Sequence, residues 1–319
     1  MGQYYFLIAG LPNLVFDSSK PPFAHTALRS KLTESLSISD RRLMDYLLLR
    51  FDNQNLLARL QNPDYELDNK GLIDFEEINA LIEHAKASFN VIKAFEENGR
   101  YEIYFPHYLS LSPKPHLTSF RRKNKRLPAY IEQFIMEYLQ AEANGEETVI
   151  PWADRLSALY YAYALQCPNA LLAAWFEFNL NINNINAAIT CRKHQLDRAL
   201  YIVGHTAVAD RLRVSNARDF DLSRILPYLT DLLHIAEEPD WLQREWQIDR
   251  LRWEWLDAQL FPKVFAVENV IAYWLKMEIM EHWSSLTKTG GETILEQIMD
   301  AMGQSGDHVL EEFKRNNMR

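Results

Sequence analysis

Glycine is scarce, with 10 in 319 residues, so the chain has little of the turn-forming freedom that a sandwich or barrel of many short strands requires. Cysteine is scarcer still. Cys167 and Cys191 are too few for a disulfide framework and lack the paired spacing of a zinc site, which points to a reducing compartment. Cations are in the minority, 34 against 43 carboxylates, and a net charge of −9 argues against nonspecific nucleic-acid binding while leaving room for a local basic patch. No Gly-x4-Gly-Lys-Ser/Thr loop, Gly-x-Gly-x-x-Gly turn, Gly-x-Ser-x-Gly elbow or His-Glu-x-x-His helix occurs, so the common nucleotide and hydrolase signatures are missing. Long apolar runs are missing too. Residues 4–9 are apolar but follow no basic stretch and stop at Gly10-Leu-Pro12-Asn13, so no signal peptide is read. Leu156 to Phe176 is uncharged and almost long enough to cross a bilayer, but Cys167-Pro168-Asn169 interrupts it and reads as the junction of two buried helices.

What is present suits helices. Apolar residues make up 48% and charged residues 24%, ordinary values for a chain that folds around one large core or two to three smaller ones. Residues 3–9 read as a short strand or extended buried segment. A helix is expected from Ser39-Asp40 through Leu43, Tyr46, Leu47 and Leu49, interrupted at Asp52-Asn53, and another from Asp74. Residues 101–115, with Pro106, Pro113 and Pro115, read as a loop and a segment boundary. Beyond Pro128, Tyr130, Phe134, Ile135, Tyr138 and Leu139 recur at helical spacing before a turn at Asn144-Gly145. Further helices are expected over Asp219–Leu233, Trp241–Leu260 and Val267–Trp283, then a break at Lys288–Gly291, a last helix over Glu292–Met302, and a frayed tail from Lys314. The fold class is all-α and multi-helical, with at most short extended segments near the N-terminus.

Asp74–Lys86 echoes Asn181–Lys193, with Ile78/Ile185, Asn79/Asn186, Ala80/Ala187, Ile82/Ile189 and Lys86/Lys193 coinciding. The copies lie roughly a third of the chain apart, which admits three related helical modules over residues 1–115, 116–215 and 216–319, or one continuous domain.

Candidate chemistry is thin. The run Arg121, Arg122, Lys123, Lys125 and Arg126 reads first as a solvated helix entry and second as a contact for an acidic protein or anionic lipid surface. Trp241, Trp246, Trp253 and Trp255 read as core packing in preference to a ligand box. Glu278 with His282, and His308 with Glu311 or Glu312, have the spacing of helix-borne ligands but lack the convergent partners a bundle metal site needs. His194 and His205 read as ordinary helix-end or loop residues, and no catalytic residue, metal ligand or cofactor is assigned. The asparagines at 179, 181, 183, 184 and 186 suit either helix capping or an uncharged polar rim; Asn184 and Asn186 are candidate partner contacts.

Several stretches in order carry a resemblance: Tyr4-Tyr-Phe-Leu-Ile-Ala-Gly-Leu-Pro12 with Phe16-Asp17, Leu47-Leu-Leu-Arg-Phe-Asp52 with Asn55-Leu-Leu57, Trp175-Phe-Glu-Phe-Asn179 running into Asn184-Ile-Asn-Ala-Ala-Ile189, and Val270-Ile-Ala-Tyr-Trp-Leu-Lys-Met-Glu278. Together they resemble a bacterial family that looks like a divergent branch of the C-type coupling component of V/A-type rotary ATPases, known as the d-type component in eukaryotes. Thr190 stands where the wider family has an arginine, with Arg192 and Lys193 just beyond. The resemblance implies a funnel of three helical modules that links the central stalk of a rotary ATPase to its membrane rotor ring through protein contacts. That role is non-catalytic, needs no cofactor or spanning segment, and places the chain in the cytoplasm, peripheral to the membrane. Arg192 and Lys193 become candidate contacts on this basis. The alternatives are, first, a helical scaffold unrelated to the ATPase and, behind it, a helical enzyme with a metal or ligand pocket that no motif marks.

Overall fold

The computed structural model describes residues 4–18, 20–98, 127–145, 150–260 and 265–290, with side chains left aside over 91–98 and 287–290. Every regular element among them is an α-helix, so the protein is all-α. In chain order these are α1 (Tyr5–Ala9), α2 (His25–Ser35), α3 (Ile38–Gln61), α4 (Phe75–Asn98), α5 (Ala129–Asn144), α6 (Trp152–Ala164), α7 (Ala170–His194), α8 (Arg198–Tyr201), α9 (Ala207–Val214), α10 (Leu229–Ile235), α11 (Trp241–Leu260) and α12 (Val267–Gly290).

The caps explain most boundaries. Asp74 accepts from Glu77 N at 2.9 Å while Glu77 reaches back to Asp74 N, a reciprocal pair that opens α4. Ser37 accepts from Asp40 N and donates to the Asp40 carboxylate, so α3 is capped at Ser37, two residues before the expected Ser39-Asp40 start. Asn169 accepts from Leu172 N at 3.1 Å and opens α7 directly after Pro168, so the uncharged stretch at 156–176 divides between two helices as its breakers predict. No helix among the described residues is long and apolar enough to cross a membrane.

Three local expectations change. Residues 5–9 are helical, not extended: among the described residues no strand is there to receive them, and Ile8 N and Gly10 N bond instead to the Tyr4 and Phe6 carbonyls. Asp52 and Asn53 do not interrupt α3, which continues to Gln61 because their side chains find partners in the interior. The expected helix from Asp219 begins only at Leu229. Residues 215–228 form successive turns in which Phe220 and Asp221 both adopt positive φ, 53° and 57°. The break expected at Lys288 does not appear before Gly290, and the expected loop at 101–115, helix at 292–302 and tail at 314–319 lie outside the described residues.

The chain divides into two compact units, residues 1–41 with 230–319, and residues 42–229. The cuts fall inside α3 and at the start of α10. The echoed segments open α4 but close α7, so they occupy opposite ends of their helices, although Ile78 and Ile185 are both fully buried.

In the first unit α12 packs on α2 and on α11. Trp253, Ile279 and Met280 form a buried cluster that Leu14, Phe16 and Trp283 cover. Of the tryptophans on α11, Trp253 is core as expected and Trp246 and Trp255 are half-buried, whereas Trp241 at the helix start is 67% exposed. In the second unit, neighbours in sequence are neighbours in space: α4 packs on α5, α5 on α6, α6 on α7, and α7 on α8 and α9. Tyr130 of α5 and Tyr160 of α6 reach back to α3, donating to Asn53 Oδ1 and to the Tyr46 carbonyl at 2.9 Å each. Burial pushes the Tyr130 phenol far above its ordinary pKa, so it stays a donor.

Candidate functional site

The C-terminal half of α7 carries the polar residues that the sequence singles out, and the structure sorts them by facing. Asn179 bonds the Trp175 carbonyl one turn back. Asn181, 1% exposed, directs its amide nitrogen to Tyr228 Oη at 3.2 Å. Asn184 is buried to the same degree and uses both ends of its amide on one loop residue, donating to Val203 O and accepting from Val203 N at 2.8 Å each. An amide matched on both sides to a backbone peptide is a structural staple. Asn184 is thus turned inward in this chain, its amide engaged in the clasp. Asn186 is half-buried and Asn183 exposed.

The helix ends on an exposed basic turn, Arg192-Lys193-His194, and closes with Gln195 in the left-handed conformation. Arg192 is not a loose surface cation. Its guanidinium donates to Ala217 O at 2.7 Å and Arg218 O at 3.0 Å, and lies 4.0 Å from the centroid of the Phe220 ring. Phe220 is fully buried and holds a positive φ that a bulky side chain rarely adopts, so the Arg192 clamp fastens a strained turn. Desolvation first, and the nearby charge of Arg198 second, hold the Arg192 pKa below its ordinary value. Lys193 is exposed beside it.

Three arginines that sequence reasoning did not single out complete this end. Arg198 donates to the Ser215 carbonyl and to Asn216 Oδ1, Arg211 to Asp221 O, and Arg213 to Ile202 O, Gly204 O and Asp210. Together they tie residues 198–221 to one another, and Arg192 joins that segment to the end of α7. Their spacing follows no motif, because most of their partners are backbone carbonyls, which every residue carries.

A second staple was also missed. On α3, fully buried Asn55 donates to Asp68 O and accepts from Asp68 N, both at 2.8 Å, the same two-sided clasp as Asn184 with Val203. Asp52, 1% exposed, accepts from Leu72 N and Ile73 N, and Gly71 sits so close that a Cβ there would lie 2.2 Å from Asp52 Oδ1. Of the two turn-like residues that signalled a break in mid-helix, Asp52 holds the connection between α3 and α4 and Asn53 accepts from Tyr130 of α5.

The first unit offers a different set. Glu278 accepts the Trp274 indole N–H at 3.0 Å and lies 3.8 Å from His25 Nε2, with the His25 ring over Trp274 at 3.9 Å. Asp249 joins Arg252 and the Trp283 indole. No group of three or more His, Cys, Asp and Glu side chains among the described residues is placed to hold a metal ion, and His308, Glu311 and Glu312 lie outside them. Arg121, Arg122, Lys123, Lys125 and Arg126 also lie outside the described residues.

Neither the curated proteins nor the solved structures contain a match to this chain. A family profile matches over residues 1–122 and 116–306, most of the sequence, and the chain belongs to that family, described as Protein of unknown function (DUF2764).

Proposed function

We propose that the protein works by holding other proteins, as a non-catalytic coupling piece of a V/A-type rotary ATPase that links the central stalk to the membrane rotor ring. The observation that carries the docking half of this reading is the clamped basic end of α7. Exposed cations there stand beside turns held by Arg192 and Arg198 at 215–218 and by Arg213 at 202–204, and a rigid, charged, solvent-facing surface suits recognition with little ordering cost on binding. The rotary half rests on the ordered resemblance of the four stretches running from Tyr4 to Glu278. An all-helical chain whose conspicuous buried polar groups serve as staples is compatible with it.

The test is fractionation from the native host. An affinity-tagged chain should sediment with membranes, bring rotary ATPase components with it after mild detergent extraction, and come away in an alkaline wash, since its hold is protein contact. Recovery in the cytosolic fraction alone, with no rotary component attached, would remove the coupling role and favour the unrelated helical scaffold. Calorimetry with ATP should show no stoichiometric binding.

A further inference from the structure

Residues 192–224 carry seven arginines and lysines against four aspartates, a basic segment in a chain of net charge −9. The way these charges are held matters as much as their number. Arg192, Arg198 and Arg211 bond to carbonyl or amide oxygens, which satisfy a guanidinium without cancelling its charge. The aspartates are turned largely to other work: Asp197 caps Ala199 N, Asp219 takes Asp221 N and the Ser223 hydroxyl, Asp221 takes the Ser215 hydroxyl, and Asp210 pairs with Arg213. Cations fixed in this way project a positive field that flexible surface pairs would have neutralised. Apolar side chains stand among them, Leu196 at 44%, Val214 at 76% and Ile225 at 55% exposure.

We infer that this face receives an acidic segment of a partner protein, its carboxylates meeting the exposed guanidinium edges and its apolar side chains meeting Leu196 and Val214. The inference rests on the docking role proposed above and supplies the chemistry of the partner. Guanidinium forks fit carboxylate and phosphate alike. The interspersed aspartates decide between them, because a nucleic acid or anionic bilayer presents like charge to all four, whereas a protein can set its own cations opposite them. The exposed apolar residues also fit the dry centre of a protein interface.

The experiment uses the full chain and a fluorescein-labelled peptide of glutamates with interspersed leucines and a few lysines, net negative, read by fluorescence anisotropy at low and moderate salt. Phosphatidylserine vesicles and a single-stranded oligonucleotide are measured alongside at the same ionic strength. Lys193→Glu with Arg218→Glu should weaken peptide binding about tenfold or more, whereas Lys20→Glu with Lys31→Glu, exposed residues of the other unit, makes the same change in net charge and should change it less than about twofold. Melting curves establish that each variant is folded; if the double reversal is not, Lys193→Gln with Arg218→Gln is read in its place. Equal loss in both pairs, no loss in the first, or binding of vesicles or oligonucleotide in preference to the peptide would overturn the inference. Failure of the coupling role is distinguishable: a chain that binds the peptide through this face but never co-purifies with rotary ATPase components keeps its acidic-partner site and loses the ATPase assignment.

Discussion

The two compact units hold themselves together by different chemistry. Residues 42–229 fasten their connections with buried side chains that grip backbone peptides: Asn55 on Asp68, Asp52 on Leu72 and Ile73, Asn184 on Val203. The unit formed by 1–41 and 230–319 relies on carboxylates that meet indoles and cations: Glu278 with Trp274, Asp249 with Trp283 and Arg252, Lys276 with Asp257. Amide-to-backbone staples fix a loop at one residue and are indifferent to salt. Of the carboxylate contacts, Asp249 with Trp283 and Asp257 with Lys276 fix α11 against α12, whereas Glu278 with Trp274 lies within α12, and all carry charge. The first kind fixes the irregular connections that follow α3 and α7, and the second works within and between α11 and α12.

The largest effect should come from Asp52. Asp52→Ala strips the acceptor from two backbone N–H groups and should cost about 3 kcal/mol, measured by urea denaturation. Gly71→Ala forces a Cβ into the same carboxylate and should cost about 2 kcal/mol alone but far less beside Asp52→Ala. Additive losses in that double-mutant cycle would mean that the close approach is not what constrains Gly71.

Next in size are the asparagine clasps. Asn184→Ala and Asn55→Ala should each lose about 2 kcal/mol, since both a buried N–H and a C=O are left without the side chain that matches them. The losses should be the same at low and high salt. A salt-dependent loss at Asn184 would erase the distinction drawn between the units.

The indole contacts should be weaker and should respond to ionic strength. Trp283→Phe removes the donor to Asp249 while keeping most of the ring area, and about 1 kcal/mol is expected. The same loss at all salt concentrations would show that ring packing alone, without the carboxylate, accounts for it.

The smallest expected effect tests an ion pair in the staple-rich unit. Arg155 grips Glu137 with two bonds of 2.7 Å and, as the leading cause, holds its carboxyl below the usual range. A depressed folded pKa contributes stability above the ordinary value of 4.5, lost as pH falls through the folded value. Both side chains are about a third exposed, so screening limits Glu137→Gln to about 0.5 kcal/mol at neutral pH. In melting curves the difference from wild type should vanish at acid pH, and a difference that grew on acidification would reverse the assigned sign.

Much of the helical layout was legible in order and spacing. Trp241–Leu260 forms a helix over the span its pattern predicts, and Val267 starts another. The 156–176 stretch splits at Pro168 and Asn169 because proline and a capping asparagine act locally. The candidate contacts were legible only in part. Arg192 and Lys193 stand exposed at a helix end as a basic last turn suggests, but Asn184 in the same helix turns inward, and neighbouring residues of one type give no sign of which faces the core.

Composition and local pattern by themselves determined the all-α class, the absence of common catalytic loops and most helix starts, because caps, prolines and apolar spacing act over a turn or two. Tertiary structure alone decided that Asp52 and Asn53 lie inside a continuous helix, that Tyr5–Ala9 is not a strand, and that residues 215–228 run as turns beneath the Arg192 clamp. Tyr5–Ala9 coils on its own carbonyls because no strand among the described residues pairs with it, and the other two share one physical reason. A polar side chain or backbone N–H must bond to something, and when the partner is the peptide of a distant residue the sequence does not name it.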